Sequence, residues 1–154
     1  MLDDHSVYMR KALAQAEAAA RQDEVPVGAV LVDETGTVIA QARNQTRTQL
    51  DPTAHAEIVA LRDGAGKQMN YRLLNTTLYV TVEPCIMCMG AIVHARVARV
   101  VYGAPDPKWG AAGSLYNFSR DPRLNHQPQV VGGVLAEACG TLMQHFFKAK
   151  RSTG

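Results

Sequence analysis

The chain has 154 residues and a mass of 16.7 kDa, and 47% of its residues are hydrophobic against 19% charged. That is enough to close a hydrophobic core without disulfides, and the mixture excludes a wholly disordered chain. No run approaches the roughly 20 consecutive apolar residues of a membrane helix, the start is acidic where a secretory signal is basic, and three cysteines make no disulfide framework. One domain over 1–154, cytoplasmic and away from membranes, is the expectation. The net charge of +2 is unevenly placed: residues 1–95 carry 8 Lys/Arg against 11 Asp/Glu, and residues 96–154 carry 8 against 3. A basic C-terminal third suits a polyphosphate partner, and it also fits ordinary variation of a solvated surface.

From Ser6 to about Arg21, Met9, Leu13, Ala16 and Ala20 recur at steps of three and four, which predicts an amphipathic helix capped by Ser6 or Asp4. The β-branched run Val25–Val32, the turn signal Asp33-Glu-Thr-Gly36 and the return from Thr37 to Arg43 predict a hairpin. Asn44 to Leu50 is a polar loop. Asp51-Pro-Thr then opens a helix, with Pro52 in its first turn, that runs through Ile58 and Leu61 to a stop at Gly64-Ala-Gly66. A strand over Thr77–Val82, a helix from Ile86 to about Ala95 and a strand over Val97–Tyr102 follow. Gly103 to Pro128 holds four prolines and reads as irregular; a segment that long in a small domain is usually functional. Val130 and Val131 suggest a short last strand. Leu135, Cys139, Leu142, Met143, Phe146 and Phe147 mark the stripe of a closing helix. The order α-β-β-α-β-α-β-β-α implies a mixed sheet with helices on both faces.

Two pieces carry chemistry: His55-Ala56-Glu57 and Pro84-Cys85-Ile86-Met87-Cys88. Cysteines three apart in a first helical turn share a face and can grip one ion, and a helix N-terminus favours their thiolates. With His55 they form a zinc-type set of three ligands that leaves a fourth position for water, whose pKa the metal lowers. Glu57 lies roughly 200° around the helix from His55, so it reaches the water rather than the metal and can carry its proton. Taken singly, the Cys-x-x-Cys fits half of a structural zinc site, and Glu57 fits a solvated helix carboxylate. A structural site needs a fourth closed ligand, however, and Cys139 sits on an apolar stripe as a core residue. The combination H-x-E…P-C-x-x-C is the signature of zinc-dependent nucleobase deaminases.

Beyond these motifs, Val25-Pro-Val-Gly-Ala-Val, Asp51-Pro-Thr-Ala-His-Ala-Glu-Ile, Leu78-Tyr-Val-Thr-Val-Glu-Pro-Cys and Lys108-Trp-Gly-Ala-Ala-Gly-Ser resemble the bacterial tRNA-specific adenosine deaminase family over nearly the whole chain. The resemblance implies an α/β, three-layer α/β/α cytidine deaminase-like fold with a central mixed sheet of about five strands. It also implies a homodimer, the anticodon stem-loop of an arginine tRNA as partner, and conversion of the wobble adenosine to inosine with release of ammonia. His55, Cys85 and Cys88 then hold one Zn²⁺ per chain and Glu57 shuttles protons. By the same resemblance Asn44 would be the family's base-contacting asparagine, its amide able both to donate to and to accept from a purine edge. The resemblance also implies that the Ala56 N–H faces the reacting base and that Asp106, near the flipped nucleotide, accepts from a ribose 2′-OH. From sequence alone Asn44 fits a loop asparagine making its own turn better than a base contact, and Asp106 fits a turn between Pro105 and Pro107 equally well.

Val27, Val30 and Val82 are candidate walls of the base pocket, or plain core. Phe146, Phe147, Lys148, Lys150 and Arg151 suit stacking and phosphate contact, and equally a buried aromatic pair followed by cations at a helix C-terminus. His5, His94, His126 and His145 show no partner in the sequence. Two other functions remain open: a deaminase of free bases or nucleotides, with the same zinc site and a different pocket, and a non-catalytic zinc-stabilised RNA-binding module.

Overall fold

The computed structural model describes the backbone of residues 2–153 and the side chains of residues 5–152. Two apolar runs make the centre of a five-stranded sheet. These are β1 (Gly28–Val32), buried at every position, and β3 (Thr77–Val82), buried at every position but the first. Strands covered on both faces read as continuous apolar sequence rather than alternation, which is how these two read. Around them lie β2 (Val38–Arg43), β4 (Arg99–Ala104) and β5 (Gln129–Val131), in the order β2-β1-β3-β4-β5. β1 is antiparallel to β2 and β3, while β3, β4 and β5 run parallel. The β1–β2 hairpin closes on Asp33, whose carboxylate accepts the N–H groups of Thr35 and Thr37 at 2.9 and 3.0 Å.

Four helices complete three layers: α1 (Leu2–Arg21), α2 (Ala56–Gln68), α3 (Ile86–Ala95) and α4 (Ala136–Thr153). On one face α2 and α3 bury Ala56, Ala60, Met89 and Ile92 against Leu31, Leu78, Val80 and Val100. On the other, Met9 and Ala12 of α1 and Cys139 of α4 pack with Val30, Val32, Tyr79 and Val101. None of the described helices is long and apolar enough to cross a membrane.

Several boundaries differ from the sequence expectation. α1 begins at Leu2, so Ser6 lies inside it and is no cap, and the side chain of Asp4 lies outside the described residues. β1 begins at Gly28, three residues late, because Pro26 has no N–H to give and Val27 N–H turns back to Val25 O at 2.8 Å. α2 opens at Ala56 and not at Pro52, because Asp51 takes the N–H and hydroxyl of Thr53 at 2.9 and 2.7 Å in a local turn that competes with helix. Nor do the glycines stop α2. Gly64 is buried where a Cβ would come 2.5 Å from Leu31 Cδ2, so it is there for close helix–sheet packing, and the helix ends at Met69 with φ 52°.

β4 starts two residues late, since Arg96 at φ 64° and Val97, whose N–H bonds Ile92 O, still belong to the exit of α3. Two of the histidines without a partner legible in the sequence are structural: His5 Nδ1 meets the Tyr79 hydroxyl at 2.8 Å, and His126 Nε2 meets Val97 O at 2.6 Å. The stripe of α4 is only partly covered, with Cys139 buried and Phe147 40% exposed.

Candidate active site

α2 and α3 point their N-termini at one another, and the residue at each N-cap is a metal-binding type. His55 (φ −69°, ψ 154°) and Cys85 (φ −77°, ψ 178°) take extended backbone conformations, and neither side chain caps its own helix. Both turn inward instead, joined by Cys88 from the first turn of α3. His55 Nδ1 lies 3.6 Å from each of the two Sγ atoms, and the three donor atoms fall within 4.8 Å of one another. Tetrahedral zinc with bonds of about 2.3 Å to sulfur and about 2.0–2.1 Å to nitrogen needs an S···N edge of about 3.6 Å. The donors fit a zinc ion by type and by spacing. Cys139 is not a fourth ligand, because it lies on the opposite face of the sheet with Met9 and Val30.

The charges are arranged for proton traffic. The hydrogen bond from Cys88, together with His55, brings Cys85 down to about 4, and the same bond with burial pushes Cys88 up. Glu57 is 4% exposed. Burial pushes its carboxyl up to about 7, against the opposing pull of its own backbone N–H and of His55. A carboxyl that holds and releases a proton near neutrality, beside a metal-binding triad, has the chemistry that general acid–base work requires.

The loop before α2 brings Asn44 to this centre. Gln45 N–H bonds Ala54 O at 2.9 Å and closes the loop immediately before His55, while Asn44 N–H bonds Val27 O at 3.1 Å. Asn44 is 6% exposed, and among the described residues its side-chain amide is neither hydrogen-bonded nor fully enclosed, so it keeps a small opening to solvent. A turn-forming asparagine spends its amide locally; this one does not. Ala56 is fully buried at the uncapped start of α2. Val27 packs on the α2/α3 face, which Val82 shares with Val80 by strand alternation. Val30 does not: it points to the α1 face, because its odd-even phase in β1 opposes that of Ala29 and Leu31, and it is no pocket wall.

Asp106 does form the turn that its flanking prolines suggest, its Oδ1 accepting the N–H groups of Lys108 and Trp109 at 3.1 and 3.2 Å. On α4, Phe147 meets Phe146 edge-on at 5.4 Å and is 40% exposed, so the aromatic pair is not simply buried core. Lys150 and Arg47 both pair with Asp23, tying the end of α4 to the loop that begins at Asn44.

Two buried carboxylates went unnoticed in the sequence. Glu83, 3% exposed and two residues before Cys85, accepts the N–H groups of Asp106, Ala112 and Ser114 at 3.0, 3.1 and 3.0 Å, and also the Ser114 hydroxyl. Glu24, fully buried, accepts the N–H groups of Arg47 and Thr48 at 3.2 and 2.7 Å and the Thr48 hydroxyl at 2.7 Å. In each, burial works to raise the pKa and the donors more than offset it, leaving it below the usual value. Each holds one of the two loops that flank the site. The signal for both was a carboxylate set at one end of a run free of charged residues that contains a central strand.

Residues 2–104 match the cytidine and deoxycytidylate deaminase zinc-binding region. The chain is 53% identical over 143 residues to a tRNA-specific adenosine deaminase of Haemophilus influenzae, covering 93% of this chain and 83% of the relative. A solved structure from work on A-to-I editing by tRNA:A34 deaminases at the wobble position superposes with a TM-score of 0.85 at 44% identity, covering 88% of this chain and 97% of the other. A guanine deaminase from Nitrosomonas europaea is more distant, with a TM-score of 0.78 at 25% identity over 92% of this chain and 83% of that one. A His-Cys-Cys centre with a buried glutamate beside it, on this sheet order and at these identities, makes the chain a zinc-dependent hydrolytic deaminase that belongs to the tRNA-specific adenosine deaminase family.

Proposed function

We propose that the chain converts the wobble-position adenosine of an arginine tRNA to inosine, with water consumed and ammonia released. Asn44 is the observation that carries this reading: a largely buried residue whose amide has no partner among the described residues, on the loop that closes immediately before His55, offers the donor and the acceptor that a purine edge needs. His55, Cys85 and Cys88 would hold one zinc ion per chain, which when bound lowers the pKa of water and supplies a nucleophile near neutral pH.

The chain's own groups do the rest. Glu57 takes a proton from the attacking water and delivers it to N1 of adenine as the C6–O bond forms. It then passes the second proton to the exocyclic nitrogen, and the C6–N6 bond breaks to free ammonia. The Ala56 N–H and the Asn44 amide orient the base between Val27 and Val82. Asp106 keeps Oδ2 for a ribose 2′-OH, while Oδ1 fixes the turn. Phe147, Lys148 and Arg151 grip the anticodon stem-loop by stacking and phosphate contact. An anticodon loop already splays its bases, which keeps the cost of extracting the target small.

We also place the enzyme in the cytoplasm as a homodimer. Tyr71, Leu74 and Ile86 are 73%, 60% and 49% exposed on the α2/α3 side, an apolar surface that a second copy would cover.

Inosine formation on an arginine tRNA with adenosine at the wobble position tests the reading, with free adenosine, free cytidine and guanine beside it and Glu57→Ala as control. Inosine at that position alone, absent with the variant, is the expected result. Turnover of guanine or a free nucleoside only would make the chain a small-molecule deaminase.

A further inference from the structure

We infer that Trp109 is a stacking platform for a base of the single-stranded RNA loop flanking the adenosine under attack. The inference rests on the tRNA reading above and adds a contact made outside the base pocket. Trp109 is the chain's single tryptophan and is 63% exposed, an unusual placement for so large an apolar side chain. Its backbone is nonetheless held from both sides. Its N–H bonds Asp106 Oδ1 at 3.2 Å, and the next residue, Gly110, is buried, donates to Asp106 O at 2.8 Å and bridges to Cys85. Ala111 N–H then bonds Pro84 O at 2.8 Å, and Glu83 secures Asp106, Ala112 and Ser114 around them.

Trp109 is therefore the last exposed residue before the chain runs alongside a metal ligand, and it sits at the rim of the site on a turn that does not need ordering. A pre-organised aromatic stacks on a base with little entropic cost, and every base offers a π-face. Exposed Lys108 beside it supplies a cation for the adjoining phosphate. A second copy of this chain is the other class of occupant for an exposed indole; that cation and the basic C-terminal third favour RNA.

The single tryptophan makes the contact directly observable. An anticodon stem-loop RNA is titrated into zinc-loaded Glu57→Ala protein, with complex formation followed in parallel by filter retention. Saturable quenching of tryptophan emission that tracks the retained complex is expected. In the otherwise unaltered enzyme, Trp109→Ala and Trp109→Leu should raise KM for the RNA on the order of ten- to a hundredfold with zinc content unchanged, and Trp109→Phe should recover most of the loss. Flat emission in a complex that forms, or a KM within twofold for Trp109→Ala, overturns the stacking role. A shift in sedimentation with the KM unmoved assigns Trp109 to a protein contact and overturns it too. The unaltered protein's inosine yield is read from the same RNA. Inosine formed with flat emission removes the stacking role alone, whereas no inosine on any RNA removes the tRNA reading and the platform together.

Discussion

Gly110 lies directly beneath the carboxyl group of Glu83, so close that a Cβ on Gly110 would overlap it. The contact joins the short link between β3 and Cys85 to the 106–114 loop with no room to spare. Gly110→Ala should therefore push the Glu83 carboxylate off its donors, at a cost of about 1–3 kcal/mol for overpacking. That corresponds to a fall in Tm of about 2–12 °C for a chain this size. Inosine formation should drop at least about tenfold, because the bridge from Gly110 to Cys85 goes with it. Gly66→Ala is the matched control. Nothing lies within 4 Å of a Cβ there, the residue is inside α2, and a gain of about 0.5–1 kcal/mol is expected. Thermal unfolding of both variants, with zinc bound, reads the difference.

Glu24 gives a pH prediction whose direction follows from its environment. Burial raises its pKa and the Thr48, Arg47 and Thr46 donors lower it further than that, so the folded value lies below the ordinary 4.5. A carboxylate with a depressed folded pKa stabilises fully above its unfolded value and loses that stabilisation as pH falls through the folded one. Glu24→Gln should be less stable than the parent by about 1.5–3 kcal/mol at pH 7, the scale of hydrogen bonds to a charged group. The gap should stay constant down to about pH 4.5 and narrow below it. Comparing the two zinc-loaded proteins cancels the metal's own pH dependence. A gap that widens on acidification would contradict the assignment.

The element order, the sheet with helices on both faces and the zinc-binding pieces were legible in the sequence because periodicity and spacing are local signals. The misplaced boundaries share a cause: a tertiary or turn interaction outbid local propensity, as when Leu31 demanded Gly64 inside α2 or Asp51 spent its carboxylate on Thr53. Glu24 and Glu83 stayed invisible for a related reason. Each bonds N–H groups some 23–31 residues away, and no spacing rule links a carboxylate to such partners. Val30 shows the limit within a strand, since a run buried on both faces does not say which valine faces the site.

Metal removal and the proton shuttle separate cleanly. His55→Ala and Cys88→Ala each take one of three donors and should lower zinc from one per chain toward none by elemental analysis, with stability falling as well, since metal binding is coupled to folding. Cys88 is fully buried and should cost more stability than His55. Glu57→Gln leaves the donors intact and should keep one zinc per chain while inosine formation falls by about 10²–10⁴-fold. Joint loss of zinc and activity in Glu57→Gln would make Glu57 a structural residue.

Asn44 decides between a base reader and a loop asparagine. A loop asparagine stabilises through its amide, so replacing it leaves backbone groups unpaired and lowers Tm. Asn44 makes no such bond among the described residues, although it is only 6% exposed. Asn44→Ala should thus shift stability by less than about 1 kcal/mol, since it orphans no protein partner. Asn44→Asp keeps the shape and the acceptor but loses the donor, and it sets a charge against a buried base. Both variants should lose about tenfold or more in kcat/KM on tRNA, because a site built around a hydrogen bond suffers heavily when one partner is missing. A large drop in Tm with little change in kcat/KM would return Asn44 to the loop and leave the purine edge to the backbone N–H of Ala56.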